Sequence, residues 1–158
     1  MLRHGLIATL AAGFLFVSAM GAHAALSDEE QTAFHVRKIQ TELMVAALSC
    51  KHRFYRNQYD NFVLTYQSQL VNYGGVLRRY FARRYGSGST GRLDKYITAI
   101  ANQASLRSMT LPEFCSVSAE LYDAVIRVKG GRLANFFPSG RFYYLNGVNG
   151  ADLGPGAH

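Results

Sequence analysis

Tryptophan is absent from this 158-residue chain, prolines number 3 and cysteines only 2. Two cysteines exclude a multi-bridge miniature scaffold and a four-thiolate zinc site. Charge is sparse, at 17% Asp, Glu, Lys and Arg against 49% hydrophobic residues, which excludes a disordered chain. The 15 glycines follow no three-residue period and so few prolines accompany them that a collagenous or low-complexity chain is excluded too. Catalytic signatures are missing as well. Beyond residue 24 the only histidines are His35, His52 and His158, without the His-x-x-x-His spacing of a zinc hydrolase. Cys-x-x-Cys does not occur, Cys50-Lys51-His52 cannot attach haem, and Gly86-Ser87-Gly88-Ser89 is not a nucleophile elbow. His35, Met44 and Met109 are too spread along the expected helices to share a metal. Glu42, Asp60, Glu113, Glu120 and Asp123 form no acid/base couple. No catalytic residue, no metal and no cofactor is therefore expected.

What is present begins with an address. Arg3 precedes an apolar run from Leu6 to Met20, and Ala22-His23-Ala24 supplies a small-x-small cleavage pattern. The pattern predicts a cleaved signal peptide over residues 1–24 and export, to a bacterial periplasm on this reading. No cysteine follows the cleavage point, so a lipid anchor is not expected, and no later apolar run reaches spanning length. In an oxidising compartment Cys50 and Cys115 read as one structural disulfide.

The periodicity from there on is helical. It predicts an all-α fold: an up-down-up-down four-helix bundle over residues 25–129, with an aromatic, Gly-rich C-terminal extension over 130–158. Ser27-Asp28-Glu29-Glu30 is a capping box, followed by Val36, Ile39, Leu43, Ala46, Cys50 and Phe54 on one stripe. A second helix from near Asn57 carries Phe62, Tyr66, Leu70, Tyr73, Leu77 and Phe81 and ends at Gly86. A third follows Thr90 with Leu93, Ile97, Ile100, Ala101 and Ala104 inward. Thr110-Leu111-Pro112-Glu113 reads as a second capping box, opening a fourth helix with Phe114, Val117, Leu121, Val125 and Val128. Antiparallel neighbours would bring Cys50 and Cys115 to one level, as a bridge requires.

Two stretches fit this plan less simply. Gly74-Gly75 interrupts the second helix, where each glycine costs about 1 kcal/mol relative to alanine. It predicts a close helix crossing or a modest kink, with a hinge as the functional alternative. The extension holds Phe136, Phe137, Phe142, Tyr143 and Tyr144, too aromatic for a free tail. Its first half is expected to dock on the bundle as a short hairpin, and its end from Gly147 to fray.

The formal charge is +7, and nearly all of it lies between residues 51 and 84. There Lys51, Arg53, Arg56, Arg78, Arg79, Arg83 and Arg84 face one acid, Asp60. In the expected bundle the first three sit with His52 at one end and the four arginines at the other, about 33 Å away. Arg127, Lys129 and Arg132 join the arginine end. A structural reading is a solvated cationic terminus that suits the dipoles of the second and fourth helices. The functional reading is an anion site built on bidentate guanidinia, with Tyr80, Phe81 and Tyr85 beside them. The sequence thus points to an exported, non-catalytic binding or accessory protein of the envelope. Its basic end, led by Arg79, Arg83 and Arg84, would engage an acidic protein or an anionic envelope component, with peripheral membrane contact included. Nucleic acid is not expected as a partner. The alternative is a small-molecule or chaperone-like binder using the bundle groove beneath the aromatic tail.

Overall fold

Four helices make up most of the chain that the computed structural model describes, residues 26–128, 131–136 and 138–146. They are α1 (Asp28–Ser49), α2 (Arg53–Tyr85), α3 (Ser89–Thr110) and α4 (Phe114–Ile126). Short 3-10 turns follow α2 at Gly86–Gly88 and form the tail at Leu133–Asn135 and Gly140–Leu145. The fold is all-α, with no strand among the described residues. The expected hairpin is replaced by these 3-10 turns, the second entered through Gly140 at φ +56°, in the left-handed region. The expected signal segment and the end of the extension from residue 147 lie outside the described residues. Among the described residues no helix is long and apolar enough to cross a membrane.

Side chains set the helix ends. The Ser27 hydroxyl accepts from the Glu30 amide at 3.2 Å, and the Glu30 carboxylate accepts from the Ser27 amide at 3.0 Å. At the far end of α1 the chain turns extended at Cys50 (φ −82°, ψ 125°). His52 then caps α2, its Nδ1 accepting from the Phe54 amide at 3.2 Å. This cap starts α2 four residues before the expected Asn57 and moves Phe54 from the first helix to the second. Gly86, at φ +53°, closes α2 as the sequence suggests. The second capping box does not form. Thr110 is the last residue of α3, and its hydroxyl donates back to the Leu106 carbonyl at 2.9 Å. The hydroxyl is held by the preceding helix, so α4 opens from Glu113 without a side-chain cap.

Packing is organised around α1. The other three helices and both turns of the tail all lie against it. Consequently it is buried on nearly every side, including Phe34, Ile39 and Leu43 at 0% exposure and the polar Lys38, Thr41 and Glu42. Near the start of α1, Phe34 meets Tyr80 of α2 and Tyr96 of α3 edge-on, each with ring centroids 5.1 Å apart. In the middle, Val36, Ile39 and Leu43 meet Phe62 and Tyr66 of α2, Leu121 and Val125 of α4, and Leu133 of the tail. At the other end, Val45, Ala46, Ala104 and Phe114 surround the disulfide. The Cys50–Cys115 bridge joins the end of α1 to the start of α4, with Cα atoms 5.9 Å apart. These pairings are compatible with alternating helix directions. On α3 the fully buried positions are Tyr96, Ile100 and Ala104, while the expected Leu93, Ile97 and Ala101 are half-buried. Tyrosine hydroxyls stitch the interior: Tyr66 donates to the Val125 carbonyl and Tyr122 to that of Leu43, both at 2.8 Å. Every buried side-chain polar atom among the described residues has a partner.

Candidate functional site

Side chains in an α-helix lean toward its N-terminus and cover the residue about one turn earlier. Arg78 and Arg79 therefore fold back over Gly74 and Gly75, and α2 passes through the pair unbroken. A Cβ at Gly74 would stand 3.4 Å from Arg37 Nη2 and 3.7 Å from Arg78 Nη1. One at Gly75 would stand 3.4 Å from Arg79 Nη1 and 3.8 Å from Arg78 Nη2. No backbone of another helix comes within 4 Å of either position, so the pair does not serve a close crossing. The glycines clear space for guanidinium groups.

Arg37 reaches this space from α1, half-buried, with Nη1 donating to Gln40 Oε1 at 2.9 Å. Among the described residues no carboxylate pairs with Arg37 or with Arg78. Both cations approach one point beside Gly74, so their nearest nitrogens lie within about 7 Å of each other. At that separation the mutual repulsion is roughly 0.6 to 2.4 kcal/mol over effective dielectrics of 80 to 20. Burial holds the Arg37 pKa below the ordinary arginine value, Tyr96 and Tyr59 oppose it in part, and the charge of Arg78 adds a smaller lowering. The two arginines overlook a groove of about 470 Å³ between α1 and α2, within the size range of small-molecule sites. Gln40 and Gln67 supply its neutral polar wall, and Val63, Leu70 and Val71 its apolar one.

The neighbouring arginines are placed differently. Arg83 forms an ion pair with Glu30, tying the end of α2 to the start of α1. Burial alone would raise the Glu30 pKa, but the Ser27 amide and Arg83 outweigh it and hold the carboxyl below its usual range. Arg79 and Arg83 line a hollow of about 330 Å³ with Glu29 and Glu30, where two carboxylates balance two guanidinia. Arg84 is exposed on the last turn of α2, within electrostatic reach of Tyr80. Arg127 pairs with Asp123 at 2.8 Å on the exposed side of α4 and does not join the cluster. Arg132 is exposed beside Tyr73, and Lys129 lies outside the described residues. At the opposite turn Lys51, His52, Arg53 and Arg56 are exposed. Arg37 is the residue that reading the sequence missed. Its signal was a charged residue in a helix whose apolar residues point in every direction, so that some charge must lie at an interface.

The aromatic tail is clamped at several points. Gln69 donates to the Gly131 carbonyl and accepts from the Leu133 amide, both at 2.8 Å. His35 Nε2 donates to the Phe136 carbonyl at 2.9 Å. Arg107 grips the buried carboxylate of Glu42 through Nε at 3.2 Å and Nη2 at 2.6 Å. Tyr144 donates to the same carboxylate at 2.9 Å, and its ring lies 4.5 Å beneath the Arg107 guanidinium. Burial, and then the Glu42 charge, push the Tyr144 phenol well above its ordinary pKa. Leu133, Phe136 and Leu145 are buried in the central cluster. Phe142 and Tyr144 are half-buried, Tyr143 is 73% exposed, and Phe137 lies outside the described residues. Beneath the tail, Leu133, Phe136 and Leu145 thus pack into the core. Among the described residues no three His, Cys, Asp or Glu come together as a metal site. Comparison with family models, with curated proteins and with solved structures gives no match.

Proposed function

We propose that this chain is an exported, non-catalytic binding or accessory protein of the bacterial envelope, holding an acidic partner or anionic envelope component on the basic end of α2. One observation carries the reading: Arg78, Arg79, Arg83 and Arg84 occupy two successive turns of α2, and among the described residues Arg83 alone of the four pairs with a carboxylate, that of Glu30. The remaining cations project from a rigid helix, which is what multivalent attraction to an anionic surface needs. The signal-like leader and the disulfide are compatible with export.

The test uses vesicles of phosphatidylglycerol or of phosphatidylcholine, and immobilised polyglutamate as an acidic-protein surrogate. The chain is expected to be retained on the anionic supports, with retention falling steeply as salt rises. Arg79→Gln/Arg84→Gln, which leaves the Arg83–Glu30 pair in place, is expected to weaken that retention about tenfold at low salt. Retention that ignores both the salt and the double substitution removes the proposal.

A further inference from the structure

The groove at Gly74 differs from the rest of the basic end in kind. Of the other cluster arginines, Arg83 meets a carboxylate, as Arg127 does on α4, and Arg79 and Arg84 are exposed. Arg37 fits neither case. It is half-buried on α1, its guanidinium donates to a neutral amide, and a second guanidinium faces it across a glycine. Two like charges brought together over a cleared space, with burial penalising one of them, are an arrangement that lowers its energy by taking up an anion.

We propose that Arg37 and Arg78 form a binding site for a single oxyanion, a phosphate or carboxylate borne on a small apolar body. The planar forks of the two guanidinia match two-oxygen anions, and Gln40 and Gln67 stand close enough to the groove to add neutral donors. The apolar body lies along Leu70, Val71 and Val63, of which Val71 is 67% exposed. Gly74 is the determinant of the site, since a larger side chain there would occupy the place where both guanidinia reach. This inference goes beyond attraction to the α2 surface, because Arg37 belongs to α1 and Arg79 and Arg84 take no part in it.

Calorimetric titration and thermal shift of the full chain test it, with inorganic phosphate, phenyl phosphate and octanoate as probes and chloride at equal ionic strength as the control. Phenyl phosphate is expected to bind more tightly than inorganic phosphate, because it also fills the apolar wall. Arg37→Gln and Arg78→Gln are each expected to weaken binding about tenfold or more. Arg79→Gln/Arg84→Gln is expected to leave small-anion binding unchanged, which separates this site from vesicle retention. In anion-free buffer Arg37→Gln is expected to melt no lower than the parent chain, since it removes a half-buried cation without an acidic partner. Should Arg37→Gln not fold, the exposed Arg78→Gln carries the test alone. Phosphatidylglycerol vesicles distinguish the source of the anion, read in Arg37→Gln because Arg37 lies outside the basic α2 cluster: retention weakened by Arg37→Gln identifies a lipid headgroup, and retention unchanged while small-anion binding is lost identifies a soluble ligand. Absence of any anion-specific shift, or binding that survives both single substitutions, overturns the proposal.

Discussion

Gly74 and Gly75 show how one residue type can be misjudged without its neighbours. Glycine inside a helix suggests a crossing, a kink or a hinge, yet here the space is taken by the arginines one turn later and by Arg37. A methyl group at either glycine would touch guanidinium nitrogens at 3.4 Å, which is contact and not overlap. Gly75→Ala is therefore expected to stabilise the chain by up to about 1 kcal/mol through helix propensity, read as a higher urea midpoint at constant slope. A lower midpoint would show that α2 needs its freedom at this point. Glu42 makes the opposite prediction. Its carboxylate is 2% exposed and depends on Arg107 and Tyr144. Arg107→Gln, which leaves that charge buried without its cation, is expected to cost about 3 to 5 kcal/mol, and Tyr144→Phe about 1.5 to 3. Equilibrium unfolding checks both, and a ranking of Tyr144→Phe above Arg107→Gln would contradict the roles assigned here. The arginines of α2 were legible in the sequence because they cluster along the chain. Arg37 was not, because the groove joins residues about 40 positions apart and neither strand of that encounter is unusual by itself.

At the scale of elements, the four helices were legible and several of their boundaries were not. Apolar spacing located α1 to α4, and the first capping box formed as written. Boundaries moved where a side chain had a competing partner: His52 capped α2 early, and the Thr110 hydroxyl turned back into α3. Tyr96 escaped the reading of α3 because its ring supplies the apolar bulk while its hydroxyl is satisfied by the Phe34 carbonyl at 3.2 Å. The tail was legible as a docked segment from its aromatics but not in conformation, since 3-10 turns of 3 and 6 residues are too short to show their three-residue period. Ending the chain at Val128 would uncover Val36, Ile39, Leu43 and Val125. That truncation is expected to lower the melting temperature and to create binding sites for a hydrophobic dye; a truncated chain that melts with the parent would show the tail to be an accessory. The disulfide closes a separation of 65 residues, and its removal by Cys50→Ser/Cys115→Ser is expected to cost about 4 kcal/mol on the chain-entropy account.

For the whole molecule, acid sensitivity is expected from His35. Burial holds its pKa below the ordinary value, the charge of Lys38 adds to this, and the Phe136 carbonyl opposes it. The folded state thus prefers neutral imidazole. Its contribution to stability is complete above about pH 6.5 and is lost as pH falls from there through the depressed folded-state value. Urea midpoints measured from pH 8 down to pH 5 are expected to decline, and His35→Gln to flatten part of that decline. An identical slope in the variant would remove His35 as a source.

Because α1 is walled in by the other three helices and by both turns of the tail, it is fully enclosed only once the tail has docked. His35 waits for Phe136, 101 positions later, and Glu42 for Tyr144, 102 positions later. Until those residues emerge, Ile39 and Leu43 lack part of the surface they bury against, and closing such long loops is slow. A core that closes only when its last contributors arrive suits the export proposed above.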